Sequence, residues 1–544
     1  MADSSNHRGL YRALEILPGA LTWTALIFPL VAAFLWPSLL AYIIIVFATY
    51  WLFKSINTAR QLLRAYRQMR WAEAQDWRGR LERLGDPAEL VKFVEAAAGR
   101  RPSRQAREEL AELGVALEHQ GQIRPPEKLL QLIMLPTYKE SYDVLETTME
   151  AILSSDYDSR RIMVVLAVEE ARPNPEGLQS ARRLEERYGK RFYHFLVTRH
   201  SHVEGEVKGK GPNISYAGRE AWKWLEGEGI APEDVIVTSL DADHRPHPKY
   251  LAYLAYLYSL TPRPETKTFQ PMQVAANNIW DAPAVNRLTA FGTSFWLLVQ
   301  SVEKKRFRNY SSQAQSMRAL LDSDFWSVTS IVEDGHQYWR TYFAYGGEHK
   351  VVPLFVPVYI DAVLSDTYLR TLRAQYVQLR RWAWGVSDIA FVVTNYRRHP
   401  EIPVTEKVVQ TFRLIEGHFT WAVAPLYLTV MGWIPVLLNS SFQRDVLAHT
   451  LTPVASQILP VAMLGQIATI WISVLLLPKR PAHRGRHHHL AMVGQWILLP
   501  VVGIFFSSFP VIEAQTRLML GRYMEEFDVT EKVRKSEVAT SSLR

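Results

Sequence analysis

The sequence contains no cysteine among its 544 residues. This absence excludes disulfide bonds, thiolate metal ligands and a cysteine nucleophile, while it leaves the cellular compartment open. The phosphate-binding pattern GxxxxGK[ST] is also missing, so a P-loop nucleotide site is excluded. The N-terminus does not resemble a cleavable signal peptide, because its apolar stretch continues to about Phe53 without a polar break.

The charge is positive but not arranged for nucleic acid. The formal net charge is +8, and 48% of the residues are hydrophobic. Long apolar runs lie near both ends of the chain, which is typical of a membrane protein with an excess of cytosolic Lys and Arg. No Lys/Arg stripe follows a phosphate backbone, so we expect membrane lipid rather than nucleic acid as a partner.

Residues 1–54 are predicted to form a transmembrane hairpin. The apolar block is interrupted near Trp36, and 34 helical residues would reach about 51 Å, against a bilayer core of about 30 Å. Two short spans, or one span plus an interfacial piece, would fit this length. The hairpin is preferred, because it places Arg8 and Lys54 on the same, cytosolic side.

The rest of the chain divides by composition into a cytosolic, solvated helical linker (55–125), an α/β domain (126–395), an interfacial helix region (396–416), C-terminal transmembrane helices (417–521) and a polar tail (522–544). The predicted C-terminal spans are 418–438, 457–477 and 490–510. The basic loop at 479–489 is predicted to be cytosolic. The last block is then either a crossing followed by a broken return helix at 510–521, or a re-entrant segment.

Three short apolar runs alternate with helical stretches in the α/β domain, at 130–135, 162–168 and 235–240. Such alternation predicts βαβ units and a mostly parallel sheet. Each run is followed by polar residues. Ligands of open parallel sheets bind beyond the carboxyl ends of the strands, so we expect the functional site at that edge.

Asp241 and Asp243 directly follow the third run. Two carboxylates in one loop can bind Mg²⁺ or Mn²⁺ together with phosphate oxygens. The cation would neutralise a diphosphate leaving group as a glycosidic bond breaks. A solvated acidic loop is the structural alternative, because such pairs are common.

Glu333 and Asp334 form the second acidic pair. A carboxylate there could accept the proton of an attacking hydroxyl. The structural alternative is a helix N-terminus, where acidic residues are favoured. Both interpretations are compatible with each other.

Gln378, Arg381 and Trp382 share one face of a predicted helix. Arg381 can pair with phosphate, and Trp382 can stack on a sugar. The alternative is a basic amphipathic helix near the membrane, with Trp384 as an interfacial anchor. The segment 204–213 is rich in glycine and lysine, and by itself it predicts a turn.

The ordered set of motifs resembles the signature of family 2 glycosyltransferases, and specifically their membrane-integrated branch of cellulose and hyaluronan synthases. The resemblance is carried by the segment 136–140 (PTYKE), Lys210, the segment 241–246 (DADHRP), Glu333 and Asp334, and the segment 378–382 (QLRRW). The segment 527–532 (FDVTEK) resembles the FxVTxK gating loop of cellulose synthase.

This resemblance implies a GT-A fold and inverting, divalent-metal-dependent transfer from a nucleotide sugar, with a UDP-sugar as the first choice and Mg²⁺ or Mn²⁺ as cofactor. The implied donor-binding residues are Thr137, Tyr138, Glu140, Glu169, Lys210 and Asp241. Asp241 and Asp243 are the implied metal ligands. Asp334, beside Glu333, is the implied general base, and Gln378, Arg381 and Trp382 would bound the acceptor and diphosphate. Phe527, Val529, Thr530 and Lys532 would form the gating loop.

Two positions depart from the family pattern. Glu169 stands where the family often has Asp, and the segment 315–321 replaces the usual acceptor loop before the base. We expect an integral membrane enzyme of the plasma (inner) membrane that extends a polysaccharide from the cytosolic side and can couple synthesis to translocation. The alternatives are a single-sugar transferase acting on a lipid or short glycan, and a non-catalytic membrane scaffold with a degenerate transferase domain.

Overall fold

The structure of the protein is a computed structural model, which describes residues 4–118, 123–170, 174–303, 305–440, 465–482, 484–485, 487–524 and 526. Its centre is a mixed sheet of eight strands in the order β3-β2-β1-β4-β7-β6-β8-β5. The strands are β1 (Leu130–Thr137), β2 (Ile162–Glu169), β3 (His194–His200), β4 (Val235–Ser239), β5 (Arg245–Pro246), β6 (Lys267–Ala275), β7 (Ala314–Ser316) and β8 (Lys350–Ile360).

One half of the sheet is parallel. β1 pairs in parallel with both β2 and β4, and β2 pairs in parallel with β3. The register places Glu169 opposite His200, and it places Ser239 opposite Met134. The carboxyl ends of these strands therefore meet at one edge, where the sequence placed the polar residues.

The other half of the sheet mixes directions. β7 is antiparallel to β4 and β6, whereas β6 and β8 are parallel, and β5 is antiparallel to β8. The register of β6 with β8 shifts between Pro271 and Met272. Such an irregularity lets a strand accommodate proline, which cannot donate a ladder hydrogen bond.

Helices cover both faces of the sheet, because alternate strand residues point to opposite sides. On one face Leu132 and Met134 of β1 pack with Ile214 and Ala217 of a helix, while on the other Ile133 belongs to a second apolar cluster. The helices of this α/β domain are α6 (Tyr142–Leu153), α7 (Pro175–Tyr188), α8 (Lys210–Gly227), α9 (Tyr250–Leu260), α10 (Ala284–Ser301), α11 (Met317–Asp322), α12 (Glu333–Ala344), α13 (Tyr368–Ala383) and α14 (Asp388–Asn395).

Two long helices, α1 (Ser4–Leu35) and α2 (Pro37–Ala74), precede the α/β domain and meet at Trp36. The hydroxyl of Tyr427 donates a hydrogen bond to the carbonyl of Ala25, and its ring contacts Phe47. Ala25 and Phe47 lie 11 residues before and after Trp36, so the two helices run antiparallel as a hairpin. α2 continues past residue 54, where the sequence placed the end of the hairpin.

The segment between the hairpin and the sheet contains α3 (Trp77–Glu82), α4 (Pro87–Ala98) and α5 (Arg104–Glu118). Its interpretation as a solvated linker is wrong, because it packs on the α/β domain. Trp77 is 2% exposed, and its ring centroid lies 4.1 Å from that of Tyr253 on α9. The equally buried Arg80 forms an ion pair of 2.7 Å with Glu109.

The C-terminal helices are α15 (Val404–Val430), α16 (Ile434–Leu438), α17 (Gly465–Leu475), α18 (His487–Gly494), α19 (Leu499–Gly503) and α20 (Phe509–Met519). α18 to α20 form one continuous helical segment, His487–Met519, with a π-helical turn at Ile504–Ser508. Among the described residues, three segments are long and apolar enough to cross a membrane: Arg8–Leu35, Pro37–Ala74 and His487–Met519. Residues 457–464 of the predicted span 457–477 lie outside the described residues. The predicted fold class, an α/β domain flanked by long apolar helices, is confirmed.

Candidate active site

Lys210 lies at the centre of an acidic cluster at the carboxyl edge of the parallel strands. Its Nζ is 2.8 Å from Oδ1 of Asp241, 3.0 Å from Oδ2 of Asp334 and 3.3 Å from Oε1 of Glu333. The side chain of Lys210 is 9% exposed. The structure thus brings four of the residues singled out in the sequence into one site.

The electrostatics of this acidic cluster follow from burial and charge. Burial alone would lower the pKa of Lys210, but the carboxylates of Asp241, Asp334 and Glu333 raise that pKa well above its usual value. Burial, together with the charge of Asp334, raises the pKa of Glu333 to about 7. Burial also raises the pKa of Asp334, although Lys210 opposes this shift. Lys210 is therefore the cation that opposes protonation of the neighbouring buried carboxylates.

A close approach of two elements sets the position of Lys210, the first residue of α8. A Cβ at Gly211 would lie 2.4 Å from the carbonyl oxygen of Ser327 and 3.2 Å from Cβ of Glu333. The side-chain amide of Asn213 donates to the carbonyl of Ala167 at 2.8 Å, which ties α8 to β2. Glycine is needed here for space, since any larger residue would push α8 away from Glu333.

Glu333 and Asp334 are the first two residues of α12. Free backbone N–H groups and the helix dipole favour carboxylates at this end, so the structural explanation of the pair holds beside the catalytic one. Their exposures differ: the side chain of Glu333 is 3% exposed and that of Asp334 is 20% exposed. Asp334 is accordingly the more accessible of the two carboxylates.

The loop after β4 holds Asp241 and Asp243 in different environments. The side chain of Asp241 is 29% exposed, whereas Asp243 is buried. Nε2 of His244 lies 3.6 Å from Oδ2 of Asp241, and its Nδ1 lies 2.5 Å from Oγ of Ser312. His244 therefore links the loop to the segment before β7.

The carboxylates of this site suit a hard cation such as Mg²⁺ only when oxygen atoms of a bound substrate complete its coordination. Among the described residues, no group of three or more His, Cys, Asp or Glu side chains is placed to hold a metal ion. Mg²⁺ is commonly bound by one or two carboxylates together with substrate phosphates rather than by an all-protein cage. The two carboxylates of Asp241 and Asp243 fit that mode of binding.

Thr137, Tyr138 and Glu140 form one hydrogen-bonded turn after β1. Oε2 of Glu140 accepts hydrogen bonds from the hydroxyl of Thr137 at 3.1 Å, from the N–H of Tyr138 at 2.7 Å and from the N–H of Lys139 at 3.1 Å. Oε2 of Glu140 therefore fixes the conformation of this turn. The turn lies at the end of β1, the strand that pairs with β4.

Glu169 interacts with two further residues, His200 and Glu206, which the sequence did not reveal. Its Oε2 lies 3.7 Å from Nδ1 of His200, whose Nε2 lies 3.2 Å from Oε2 of Glu206. Burial alone would lower the pKa of His200, but Glu169 and Glu206 raise it. His200 and Glu206 were missed because β3 was not recognised, although a histidine at the end of a strand beside Glu169 is the signal that could have found them.

The polar residues of helix α13 have different surroundings. The positive charge of Arg381 lies close enough to lower the pKa of both Glu333 and Asp334. Gln378 accepts a hydrogen bond from Gln375 at 3.1 Å, and Trp382 is 37% exposed. Trp384 is 5% exposed, in an apolar cluster with residues of α15 and α20, so its interpretation as an interfacial anchor is wrong.

The segment 315–321, which replaces the family's acceptor loop, forms the end of β7 and most of α11. Gln315 is 2% exposed, and its side-chain amide donates to Oγ1 of Thr341 at 3.0 Å. The segment is therefore part of the core rather than an open loop.

The gating-loop-like residues Phe527, Val529, Thr530 and Lys532 lie outside the described residues. Glu526, just before them, forms an isolated parallel β-bridge with Lys208, and its Oε1 lies 3.5 Å from Nζ of Lys208. Lys208 precedes Lys210 by two residues, so residue 526 lies at the border of the acidic cluster.

Comparison with known proteins gives structural neighbours only. No protein-family model matches the chain, and no curated protein matches it. Mannosyltransferase PcManGT from Pyrobaculum calidifontis, solved with GDP-Man and Mn²⁺, is similar at 14% identity over 80% of this chain and 100% of that chain, with a TM-score of 0.41.

A second neighbour is TarS of S. aureus. It is similar at 12% identity over 72% of this chain with a TM-score of 0.33, and this chain spans 55% of its length. TarS 1–349 in complex with UDP-GlcNAc is similar at 11% identity over 73% of this chain and 93% of that chain, with a TM-score of 0.35. These TM-scores are low, and the functional interpretation rests on this chain's own geometry.

Proposed function

We propose that the chain is a family 2 glycosyltransferase, which moves a sugar from a nucleotide sugar to an acceptor hydroxyl. The observation that carries this proposal is the contact of Lys210 with Asp241, Glu333 and Asp334 at the carboxyl edge of parallel strands. The ammonium group of Lys210 contacts Asp241, which is suited to bind a metal-bound diphosphate, and Asp334, which is suited to accept a proton. Ligands of open α/β sheets bind at this edge.

The donor diphosphate would bind next to Asp241. Its anionic oxygens compete with the carboxylates for the ammonium group of Lys210, and Asp241 with Asp243 would hold Mg²⁺ or Mn²⁺. The cation supplies charge stabilisation to the departing diphosphate. The nucleotide would bind beyond the ends of β1 and β2. The turn of Thr137, Tyr138 and Glu140 follows β1, and Glu169 ends β2. UDP-sugars are the first donors to test, on the resemblance alone.

Transfer is a single displacement. The acceptor oxygen forms a bond to the anomeric carbon, the bond from that carbon to the diphosphate oxygen breaks, and its electron pair leaves with the nucleoside diphosphate. Asp334 accepts the proton of the acceptor hydroxyl, because it is the more exposed carboxylate of its pair. Attack from the side opposite the leaving group inverts the anomeric configuration.

The acceptor would approach from the side of α13. The exposed ring of Trp382 offers a face for a sugar, while Gln378 and Arg381 are placed to bound the acceptor and the diphosphate. We assign a growing polysaccharide as the acceptor, with the α/β domain on the cytosolic side of the plasma (inner) membrane and the chain passing outward between the helices.

The test is a screen of nucleotide sugars with purified full-length protein in lipid nanodiscs, with Mg²⁺ or Mn²⁺, read by mass spectrometry of the products. We expect turnover with at least one donor, and a loss of roughly 10²–10⁴-fold in kcat for Asp334→Asn, because a general base contributes about that much. Asp243→Asn should lower the rate and raise the metal concentration that is needed for half of the maximal rate.

The matched control is Asp324→Asn. Asp324 is an exposed carboxylate at φ +57°, a conformation that asparagine also tolerates, so this variant should keep its full rate. An unchanged rate for Asp334→Asn or Asp243→Asn would refute the assignment. Products that carry one added sugar would identify the single-sugar alternative, and nucleotide binding without turnover of any donor would identify the scaffold.

A further inference from the structure

The 201–209 loop connects β3 to Lys210, the first residue of α8. Its first five residues are exposed, whereas the side chain of Glu206 is only 16% exposed and contacts the end of β3. Polar side chains of a surface loop ordinarily reach water. A carboxylate that points inward from such a loop needs a partner, because burial of an unpaired charge is unfavourable.

The partner of Glu206 is His200, the last residue of β3. Nε2 of His200 lies 3.2 Å from Oε2 of Glu206, and the same oxygen accepts the N–H of Val203 at 3.3 Å. On the other side of the ring, Nδ1 of His200 lies 3.7 Å from Oε2 of Glu169 at the end of β2. The side chain of His200 is 6% exposed, so its ring lies between two carboxylates with little access to water.

This position between two carboxylates favours the protonated form of His200. A neutral imidazole donates at one nitrogen and accepts at the other, whereas the imidazolium donates at both. The neutral ring would therefore direct a lone pair toward one of the two carboxylates. Burial alone would lower the pKa of His200 from its usual 6.5, but Glu169 and Glu206 outweigh burial and raise that pKa.

Three further titratable residues lie near His200. The ring centroid of Tyr216 on α8 lies 5.5 Å from that of His200. Arg199 and Glu170 form an ion pair of 3.0 Å with each other, so their charges balance. The N–H of Glu170 also donates to the carbonyl of His200 at 2.8 Å. The backbone of His200 is thus attached to the end of β2, and its side chain is the part that holds the loop.

The 201–209 loop leads directly into the acidic cluster. One residue after Glu206, the N–H of Val207 donates to the carbonyl of Val328 at 2.9 Å, in the segment before α12. Lys210, the cation of the acidic cluster, follows three residues later. If the anchor at Glu206 is released, the loop gains conformational freedom that donor binding has to remove again, and the apparent affinity for the donor falls.

We propose that protonated His200 is a positioning residue for the donor: by holding Glu206 at the end of β3, it fixes the 201–209 loop and thereby the place of Lys210 beside the donor diphosphate. The inference rests on the proposed function, since it assigns a role in donor binding. His200 lies outside the acidic cluster and takes no part in proton transfer. Its effect therefore falls on KM for the donor rather than on kcat.

The direction of the pH dependence follows from the raised pKa of His200. The contact with Glu206 is fully present below pH 6.5 and is lost as the pH rises through the pKa of the folded protein. The first test is therefore KM of the full-length protein for its active donor at pH 6 and pH 9. We expect KM of the wild-type protein to rise roughly 10-fold, because a charge-assisted hydrogen bond is lost.

His200→Gln should have the high KM at both pH values, with kcat close to the wild-type value at each pH. Groups that titrate in both proteins, such as Glu333, affect the two profiles alike, so the difference between the profiles isolates His200. An equal dependence of KM on pH in the two proteins, or a loss of kcat with KM unchanged, would overturn the proposal.

Glu206→Gln removes the same contact from the loop side, and its side chain is more exposed than that of His200. This variant should also raise KM at pH 6, and it decides the outcome if His200→Gln does not fold. The matched control is Glu204→Gln, which replaces an exposed carboxylate two residues earlier in the loop. It should keep the wild-type profile of KM, and a Glu206→Gln variant with the same profile as this control would refute the role of the contact.

The second test needs no donor and uses the absence of cysteine from the sequence. A nitroxide spin label at Glu204→Cys reports the mobility of the loop by EPR spectroscopy. We expect slow motion at pH 6 and faster motion at pH 9 when His200 is present, and fast motion at both pH values with His200→Gln. Equal mobility in all four samples would contradict the proposal, and so would a released loop with an unchanged KM. If no donor is turned over, the proposed function fails, while the label still decides whether His200 holds the loop.

Discussion

At the scale of single residues, the site depends on one cation among several carboxylates. Removing Lys210 leaves Asp241, Glu333 and Asp334 without their shared partner. Truncating one member of a buried ion pair costs about 3–5 kcal/mol, and protonation of the carboxylates relieves part of that cost at low pH. We therefore expect Lys210→Gln to lower the thermal unfolding midpoint, and to do so more at pH 8 than at pH 5.

The control for this substitution lies on the same helix. Lys223 on α8 is an exposed lysine paired with Glu220, so Lys223→Gln should leave the unfolding midpoint nearly unchanged at both pH values. Equal destabilisation by the two variants would mean that the charge of Lys210 has no special role.

The raised pKa of Glu333 predicts the direction in which the stability of the protein changes with pH. Burial raises its pKa in the folded protein from 4.5 to about 7, so between those values the folded state binds more protons than the unfolded state. Stability that is present below pH 4.5 is then lost as the pH rises through about 7, by up to about 1.4 kcal/mol per pH unit. We expect Glu333→Gln to flatten the fall of the unfolding midpoint between pH 5 and pH 8.

The control for the effect of pH on stability is Glu186→Gln, which replaces an exposed carboxylate on α7. That variant should reproduce the wild-type pH profile. A Glu333→Gln profile as steep as the wild-type one would show that another group titrates in this range.

At the scale of elements, apolar runs predicted the strands that are buried and uninterrupted. β1, β2 and β4 are such runs, and Asp241 and Asp243 follow one of them, so the position of these two aspartates at the carboxyl edge of the sheet was predictable. β8 was missed because Pro353 and Pro357 interrupt it, and its pairing with β6 requires a shift of register. The place of Lys210 among the carboxylates was not predictable either, since it depends on how closely α8 approaches α12.

The close approach of α8 to α12 leaves no room for an added methyl group at Gly211. A Cβ there would lie 2.4 Å from the carbonyl oxygen of Ser327, so α8 must shift and Lys210 must move with it. We expect Gly211→Ala to destabilise the protein by about 1–3 kcal/mol, as overpacking does, and to lower the rate of sugar transfer. Thermal unfolding and initial rates measure the two effects.

The other end of α8 provides the control. No atom lies within 4 Å of a Cβ at Gly227, so Gly227→Ala should be neutral in activity and neutral or slightly stabilising. A Gly211→Ala variant as active as Gly227→Ala would mean that the acidic cluster tolerates movement of α8.

At the scale of the whole molecule, the acidic cluster and the apolar helices form one connected structure. His336, one turn after Glu333 on α12, has its Nδ1 2.6 Å from Oδ1 of Asp388 on α14. Nearby, Trp384 packs with Val511 and Ala514 of α20. Residues beside the acidic cluster are thus packed against the long apolar helix at the end of the described chain, which ties the geometry of the cluster to that helix.

Glu526, the last described residue, lies beside the segment that leads into the acidic cluster. At Glu526 the chain forms a parallel bridge with Lys208, which lies two residues before Lys210. We therefore expect Phe527→Ala and Thr530→Ala to lower kcat, by roughly 10- to 100-fold if the segment helps to position substrate. Ser542→Ala, in the polar tail, should not change the rate, and steady-state kinetics with the active donor measure all three variants.

The contact of Lys208 with Glu526 can be tested by exchanging its charges. The pair is solvent-exposed, with side-chain exposures of 42% and 56%, and exposed pairs contribute at most about 1 kcal/mol to stability. Lys208→Glu or Glu526→Lys alone should therefore leave the fold intact but place like charges opposite each other, which weakens the docking of the segment and lowers kcat. The double exchange restores opposite charges and should recover most of the rate. If the double variant is as slow as the single ones, the position of residue 526 beside Lys208 does not control access to the site.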